Sequence, residues 1–146
     1  MKHLWMVLAL LIPLLLTACG SEAMVRDAYT ASGDGSRPDD LAKTEVFRSD
    51  DDLNVVVTLN AHNRELPVYA IFVAPTGDNY ATDDLAADST VGQVLLGLDW
   101  EAQGSVLWPE GEWTVDVYVN ADKEDSQAKP TRTLKFTVEP IAEASG

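Results

Sequence analysis

The chain has 146 residues, with ten Lys and Arg set against 24 Asp and Glu for a formal net charge of −14. Such an acidic chain is repelled by nucleic acid and by bare anionic headgroups. One cysteine and two histidines leave no internal disulfide and no four-ligand structural zinc site, and the length suits one domain that buries its core without covalent staples.

The first 18 residues begin with Lys2 and His3, continue as an apolar run from Leu4 to Leu16 and end in the small residues Thr17 and Ala18. This is the three-part layout of an export signal. The run is shorter than the roughly 20 apolar residues a spanning helix needs, and Pro13 interrupts it, so cleavage rather than retention is expected. Residues 1–18 then leave as a signal peptide, and Lys2 leaves with them. The only cysteine, Cys19, stands directly behind the run.

Leu16-Thr17-Ala18-Cys19 resembles the lipobox of bacterial lipoproteins. The resemblance implies that the Cys19 thiol receives a diacylglyceryl group, that the signal is cut before it and that the new amino terminus is acylated. Two or more acyl chains hold a protein stably at a bilayer, where one holds it only marginally. With Gly20 rather than Asp after the cysteine, the resemblance further implies transfer to the outer membrane of a two-membrane bacterial envelope. Cys19 is thereby an anchor, and no thiol remains for catalysis or metal binding.

Residues 19–43 follow as the lipidated cysteine and a tether. "SGDGSRPDD" at 32–40 has loop composition, whereas "MVRDAYTA" at 24–31 can be read as a first strand with Val25, Asp27 and Tyr29 on one face. Slack would let the domain stand off the membrane; a strand would hold it close.

From Thr44 the period is two, the signature of half-buried strands. "TEVFR" (44–48) is short. "LNVVVTLN" (53–60) sets Leu53, Val55, Val57 and Leu59 against a wet face of Asn54, Val56, Thr58 and Asn60. "PVYAIFVAP" (67–75), apolar on both faces, is expected in the middle of a sheet, and Pro75-Thr76-Gly77-Asp78 turns the chain. Residues 78–90 show no period and are expected to be irregular. "TVGQVLLGLDWE" (90–101) places Val94, Leu96, Leu98 and Trp100 inward. "GEWTVDVYVN" (111–120) does the same with Trp113, Val115, Val117 and Val119, and "TRTLKFTVE" (131–139) with Leu134, Phe136 and Val138. Residues 140–146 are expected to be a flexible end.

Six or seven short strands without an amphipathic helix predict an all-β, antiparallel β-sandwich over 44–139. "WPEGEWTVDVYV" at 108–119, followed by a polar loop and "TLKFTV", resembles the closing hairpin of immunoglobulin-like or fibronectin-III-like domains in small bacterial envelope lipoproteins. "VAPTGD" at 73–78 fits the same pattern. The resemblance implies a seven-stranded immunoglobulin-like fold and leaves function open, because such domains serve many roles.

Past the signal, the single histidine is His62, in the loop "LNAHNREL". A Ser-His-Asp arrangement would have to use it, and a loop position is the simpler role. Paired carboxylates about 5 to 9 Å apart could hydrolyse glycosides, but nothing singles out one pair among so many, and Asp99 and Asp116 alternate outward. Trp113 and Trp100 are expected in the core. Trp108, before Pro109, is either a lid on the sandwich or, with Tyr80 and Tyr118, part of an exposed surface that stacks on sugars or anchors a protein. Calcium between the 76–90 turn and the 121–130 loop is a further option, although no segment has the spacing of a twelve-residue calcium loop. The expectation is therefore a non-catalytic, lipid-anchored envelope module without a cofactor, binding an envelope protein or glycan. A carbohydrate- or calcium-binding module is the alternative, and an envelope-polymer hydrolase a weaker third.

Overall fold

The computed structural model describes residues 21–142; residues 1–20, which hold the expected signal and Cys19, and residues 143–146 lie outside them. A 3₁₀ turn, Ser21–Met24, leads into β1 (Val25–Ser32), and a loop with a second 3₁₀ turn, Pro38–Asp40, leads to β2 (Ala42–Lys43) and β3 (Val46–Arg48). Then come β4 (Leu53–Leu59), β5 (Leu66–Val73), β6 (Asn79–Ala81), β7 (Leu85–Ala87), β8 (Gln93–Leu98), β9 (Gly111–Val119) and β10 (Arg132–Glu139). One sheet has the order β2-β1-β4-β8 and the other β3-β10-β9-β5-β6, with β7 also paired to β5. The two sheets form a β-sandwich.

The alternating residues of β9 explain why the sheets close. Trp113, Val115, Val117 and Val119 are all fully buried, and each strand offers only one apolar stripe, so a second sheet must cover it. The opposing sheet supplies Leu53, Val55 and Val57 from β4 with Val94, Leu96 and Leu98 from β8. Around Phe136, rings gather in offset and edge contacts: Phe47 at 5.1 Å, Trp113 at 5.8 Å and Phe72 at 6.0 Å. Such pairs add to the burial of area alone.

Apart from Met24, residues 24–31 are strand rather than slack, but not with the expected face. A bulge between Val25 and Asp27 shifts the register against β4, so Ala28 pairs with Val57 and Thr30 with Val55. One extra residue reverses the alternation: Val25, Ala28 and Thr30 face the core while Tyr29 lies beside Val56 on the outer face.

That outer face is wet only at its end, where Thr58 is half-exposed and Asn60 exposed. Asn54 and Val56 are both buried, because the 33–41 loop crosses back over the sheet. The Asn54 amide donates to the Gly33 carbonyl at 3.1 Å, and the second 3₁₀ turn packs near β8. Gly97 on β8 is required there, since a Cβ would collide with the Asn54 side chain and come within 3.1 Å of the Leu53 carbonyl.

Three further expectations are corrected. The sandwich is not wholly antiparallel: β3 runs parallel to β10, because the chain passes from one sheet to the other at Thr44 and Glu45 without reversing. Residues 78–90 are not irregular: β6 and β7 pair in turn with β5, joined through Thr82, whose hydroxyl accepts the Ala70 N–H at 3.0 Å. Three-residue strands are too short to display a period. Finally, β8 ends at Leu98, where residues 99–105 coil tightly through Gly104 and Ser105, both at positive φ. Trp100 consequently leaves the strand register and is half-buried.

Replacing Trp113 with Ala should lower the unfolding free energy by about 3–5 kcal/mol, the usual cost of removing a large buried ring. Urea denaturation followed by circular dichroism measures it; a loss under about 1 kcal/mol would show that the core closes without this ring.

Candidate functional site

The strand directions define two poles. Val25 at the start of β1 pairs with Leu59 at the end of β4, and Leu53 at the start of β4 pairs with Leu98 at the end of β8. The chain therefore enters at the pole carrying loops 60–65, 88–92 and 120–131. The opposite pole, about 20 Å away along β4, carries 33–41, 49–52, 74–78 and 99–110.

At the entry pole the amino-terminal turn is fastened to the domain. Arg132 pairs with Glu22 and donates to the Val25 carbonyl, both at 3.1 Å. The Asn60 side chain donates to the Ala23 carbonyl at 2.9 Å, and its backbone N–H to the Met24 carbonyl at 2.9 Å. His62 joins the 60–65 loop to the end of β7. Its Nδ1 lies 3.0 Å from the Asn60 carbonyl oxygen, and its Nε2 lies 2.7 Å from that of Asp88 and 3.3 Å from that of Ala87. Both ring nitrogens thus face acceptors, an arrangement only the doubly protonated imidazolium satisfies. The Asn60 hydrogen bond, with smaller help from the Asp88 and Ala87 carbonyls and the Asp88 charge, raises its pKa above the usual 6.5 against the opposing effect of desolvation.

The far pole is assembled by two tryptophans and a run of aspartates. Trp108 is only 4 % exposed, its ring packed against Tyr80 at 5.5 Å and Trp113 at 5.9 Å. Its backbone N–H donates to the Ser49 carbonyl at 2.8 Å and its indole N–H to the Asp51 carbonyl at 2.7 Å. Trp100 donates its indole N–H to the Val106 carbonyl at 3.0 Å and its backbone N–H to Asp52 at 2.8 Å. Between these two fixed residues, Val106 is 71 % and Leu107 53 % exposed. The apolar pair is held in water by the bonds on either side of it.

Beside the pair lies a cleft of about 550 Å³ lined by Asp34, Asp50, Asp51, Asp52, Asp99, Trp100 and Glu101, with Gly33. Four of these carboxylates already hold the backbone or a neighbouring cation. Asp50 pairs with Arg48 at 2.9 Å, Asp51 accepts the Arg48 N–H at 2.7 Å, Asp52 accepts the Trp100 N–H and Asp99 accepts the Ala102 N–H at 2.9 Å. Turn formation accounts for those four, and Asp34 and Glu101 complete the acidic lining.

The structure separates the three aromatic residues considered for a binding surface. Trp108 is the lid of the core and presents no face to a ligand. Tyr80 is half-buried against Trp108 and Trp113. Tyr118 sits on the outer face of the larger sheet, stacked on Tyr69 with centroids 4.7 Å apart. Burial raises both phenol pKa values above 10, most of all by desolvation, so the pair is neutral. The 76–90 and 121–130 segments do meet, but Lys123 fills their junction: its ammonium donates to the Thr82 carbonyl at 2.7 Å and pairs with Asp84 at 3.1 Å. Among the described residues no group of three or more His, Cys, Asp or Glu is arranged to hold a metal ion. Asp116 lies outward and accepts the Thr133 hydroxyl at 2.6 Å.

Sequence reasoning passed over Val106 and Leu107. Their signal is slight: two apolar residues in a loop, with no alternation continuing from either side.

Compared with protein-family models and with curated proteins, the chain finds no match. The fold and the two poles define its class: an all-β sandwich domain with a closed core and an apolar tip presented at the end remote from chain entry.

Because the His62 pKa is raised on folding, its stabilising contribution is complete below about pH 6.5 and is lost as pH rises through the folded pKa. The melting temperature of the wild type should exceed that of His62→Ala by more at about pH 5.5 than at about pH 8.5. Equal differences at the two pH values would show that the imidazolium is not the stabilising form.

Proposed function

We propose that the protein is a lipid-anchored module of the bacterial envelope, an immunoglobulin-like domain that binds a partner protein through its far pole and catalyses nothing. The observation carrying this reading is the opposition of chain entry and apolar tip: Met24 enters at one end, and Val106 with Leu107 stands at the other.

With Cys19 acylated, only Gly20 separates the anchor from the 3₁₀ turn, a reach of about 7 Å. The entry pole is then held against the headgroups and the far pole is aimed away from them. Exposed apolar side chains on a fixed loop suit a protein interface, since they lose little conformational freedom on binding. The surrounding carboxylates favour a partner with a basic rim and raise the rate of encounter. The immunoglobulin-like assignment is supported by strand order: β1, β4 and β8 face β5, β9 and β10, as A, B and E face C, F and G in that fold.

Two measurements test the reading. Cys19→Ala should move the protein from the membrane to the soluble fraction; attachment that still requires detergent would overturn the anchor. A photo-crosslinking residue at Leu107 should capture one recurrent envelope protein in cells, while the same residue at Asn63, in the entry-pole loop, should not. Capture should fall by roughly tenfold in Val106→Ser, the loss expected when one apolar contact of an interface is removed. Equal capture from both poles would overturn the orientation.

A further inference from the structure

β8 is the last strand of the four-stranded sheet. Leu59 donates its N–H to the Gly92 carbonyl at 2.8 Å, and Val94, Leu96 and Leu98 pair with Val57, Val55 and Leu53. Since backbone direction alternates along an antiparallel strand, those residues turn their N–H and C=O groups toward β4. Gln93, Leu95 and Gly97 turn theirs away from the sheet. Within β8 itself there is no guard: it has no Pro, Lys or other charge, and its register with β4 shows no bulge.

The segment that could have covered this edge has gone elsewhere. Between β5 and β8 the chain forms β6 and β7, and both pair with β5 in the opposite sheet. A groove of about 280 Å³ is left between β7 and β8, lined by Leu85, Ala87, Val91, Val94 and Leu95, with Pro38 at its outer side. Leu85 is 44 % exposed there.

We infer that the open edge of β8 accepts an extended, apolar segment of a partner polypeptide as an added strand. The outward groups of Gln93, Leu95 and Gly97 supply the main-chain hydrogen bonds, and the groove supplies the side-chain pockets, the two components of strand addition. One set of the incoming side chains drops toward Leu85, Ala87 and Val94. The other lies against Leu95 and Pro38. The segment is therefore apolar at successive positions rather than alternate ones, over roughly the five residues of an average strand.

A second copy of this chain does not fit. The full chain carries a net charge of −14, and antiparallel pairing of β8 with itself about Leu95 sets the two Met24 ends at opposite poles, so under the proposed anchor both copies cannot sit in one membrane. Parallel pairing of the two free edges would offset their identical residues unequally in the ladder, which a two-fold symmetric dimer does not allow. The inference concerns a different surface from the far pole; its exclusion of a second copy rests on the proposed Cys19 anchor, whereas the open edge and the groove do not.

The test uses the full-length protein purified in detergent, with displayed random heptapeptides as the probe. In the free protein the amides of Gln93, Leu95 and Gly97 should exchange rapidly with solvent. Panning should enrich peptides with Val, Ile, Leu or Phe at adjacent positions, and the enriched peptide should slow those three amides. Gln93→Pro removes an N–H that the native ladder does not use, so the fold is retained, and it should weaken the peptide roughly tenfold, the loss of one hydrogen bond. Leu95→Lys should do the same by placing a charge in the groove, and it keeps the test decisive if the proline variant does not fold. Slow exchange in the free protein, no enriched peptide, affinity unchanged in a folded variant, or a concentration-dependent dimer abolished by Gln93→Pro would each overturn the inference.

Discussion

The indole of Trp108 packs between Tyr80 and Trp113, and its two N–H groups bond to the 49–51 turn. This single residue ties the loop before β9 to the turn before β4, and so joins the two sheets at the far pole. Its burial also determines what the pole displays. With Trp108 drawn inward and the Val106 carbonyl held by Trp100, the intervening side chains have nowhere to go but into water. The aspartates around them secure these same turns, and their charge is a by-product of that task.

The entry pole is governed by a different constraint, the attachment of the first turn. Arg132 from β10 and Asn60 after β4 bind carbonyls of residues 23–25, so the chain leaves the domain as part of it. A flexible tether would let the domain tumble and would erase any distinction between near and far poles. A fastened one turns the position of a loop into a direction relative to chain entry. His62 adds a charge-dependent link at the same pole, where both ring nitrogens meet carbonyl oxygens.

The long strands were legible in the sequence because alternation over seven to nine residues has no other cheap explanation. β4 and β9 bury the residues their pattern predicts, and β10 buries Phe136 and Val138 with Leu134 partly buried against the core. The pattern failed where the cause was not local. β6 and β7 are too short for a period and exist because β5 offers them an edge. The bulge at Val25 reverses the facing of β1, and the outer face of β4 is dry at Asn54 and Val56 because a loop from elsewhere in the chain crosses it. The candidate site was legible only in part: Trp108 stood out as a tryptophan before proline, with a lid as one of two readings, but nothing local marked Val106 and Leu107 as the exposed pair.

The sequence by itself determined the strand class, the apolar stripes, the acidic surface and the isolation of Cys19, because each depends on residue type and spacing alone. The tertiary structure alone decided which sheet each short strand joined, which edge was left open and which end of the sandwich faces away from chain entry. Those outcomes depend on contacts between residues far apart in the chain. The 33–41 loop over Asn54, Lys123 at the Thr82 carbonyl and Trp108 on the Asp51 carbonyl each satisfy a polar group or cover a face that no neighbouring residue could reach.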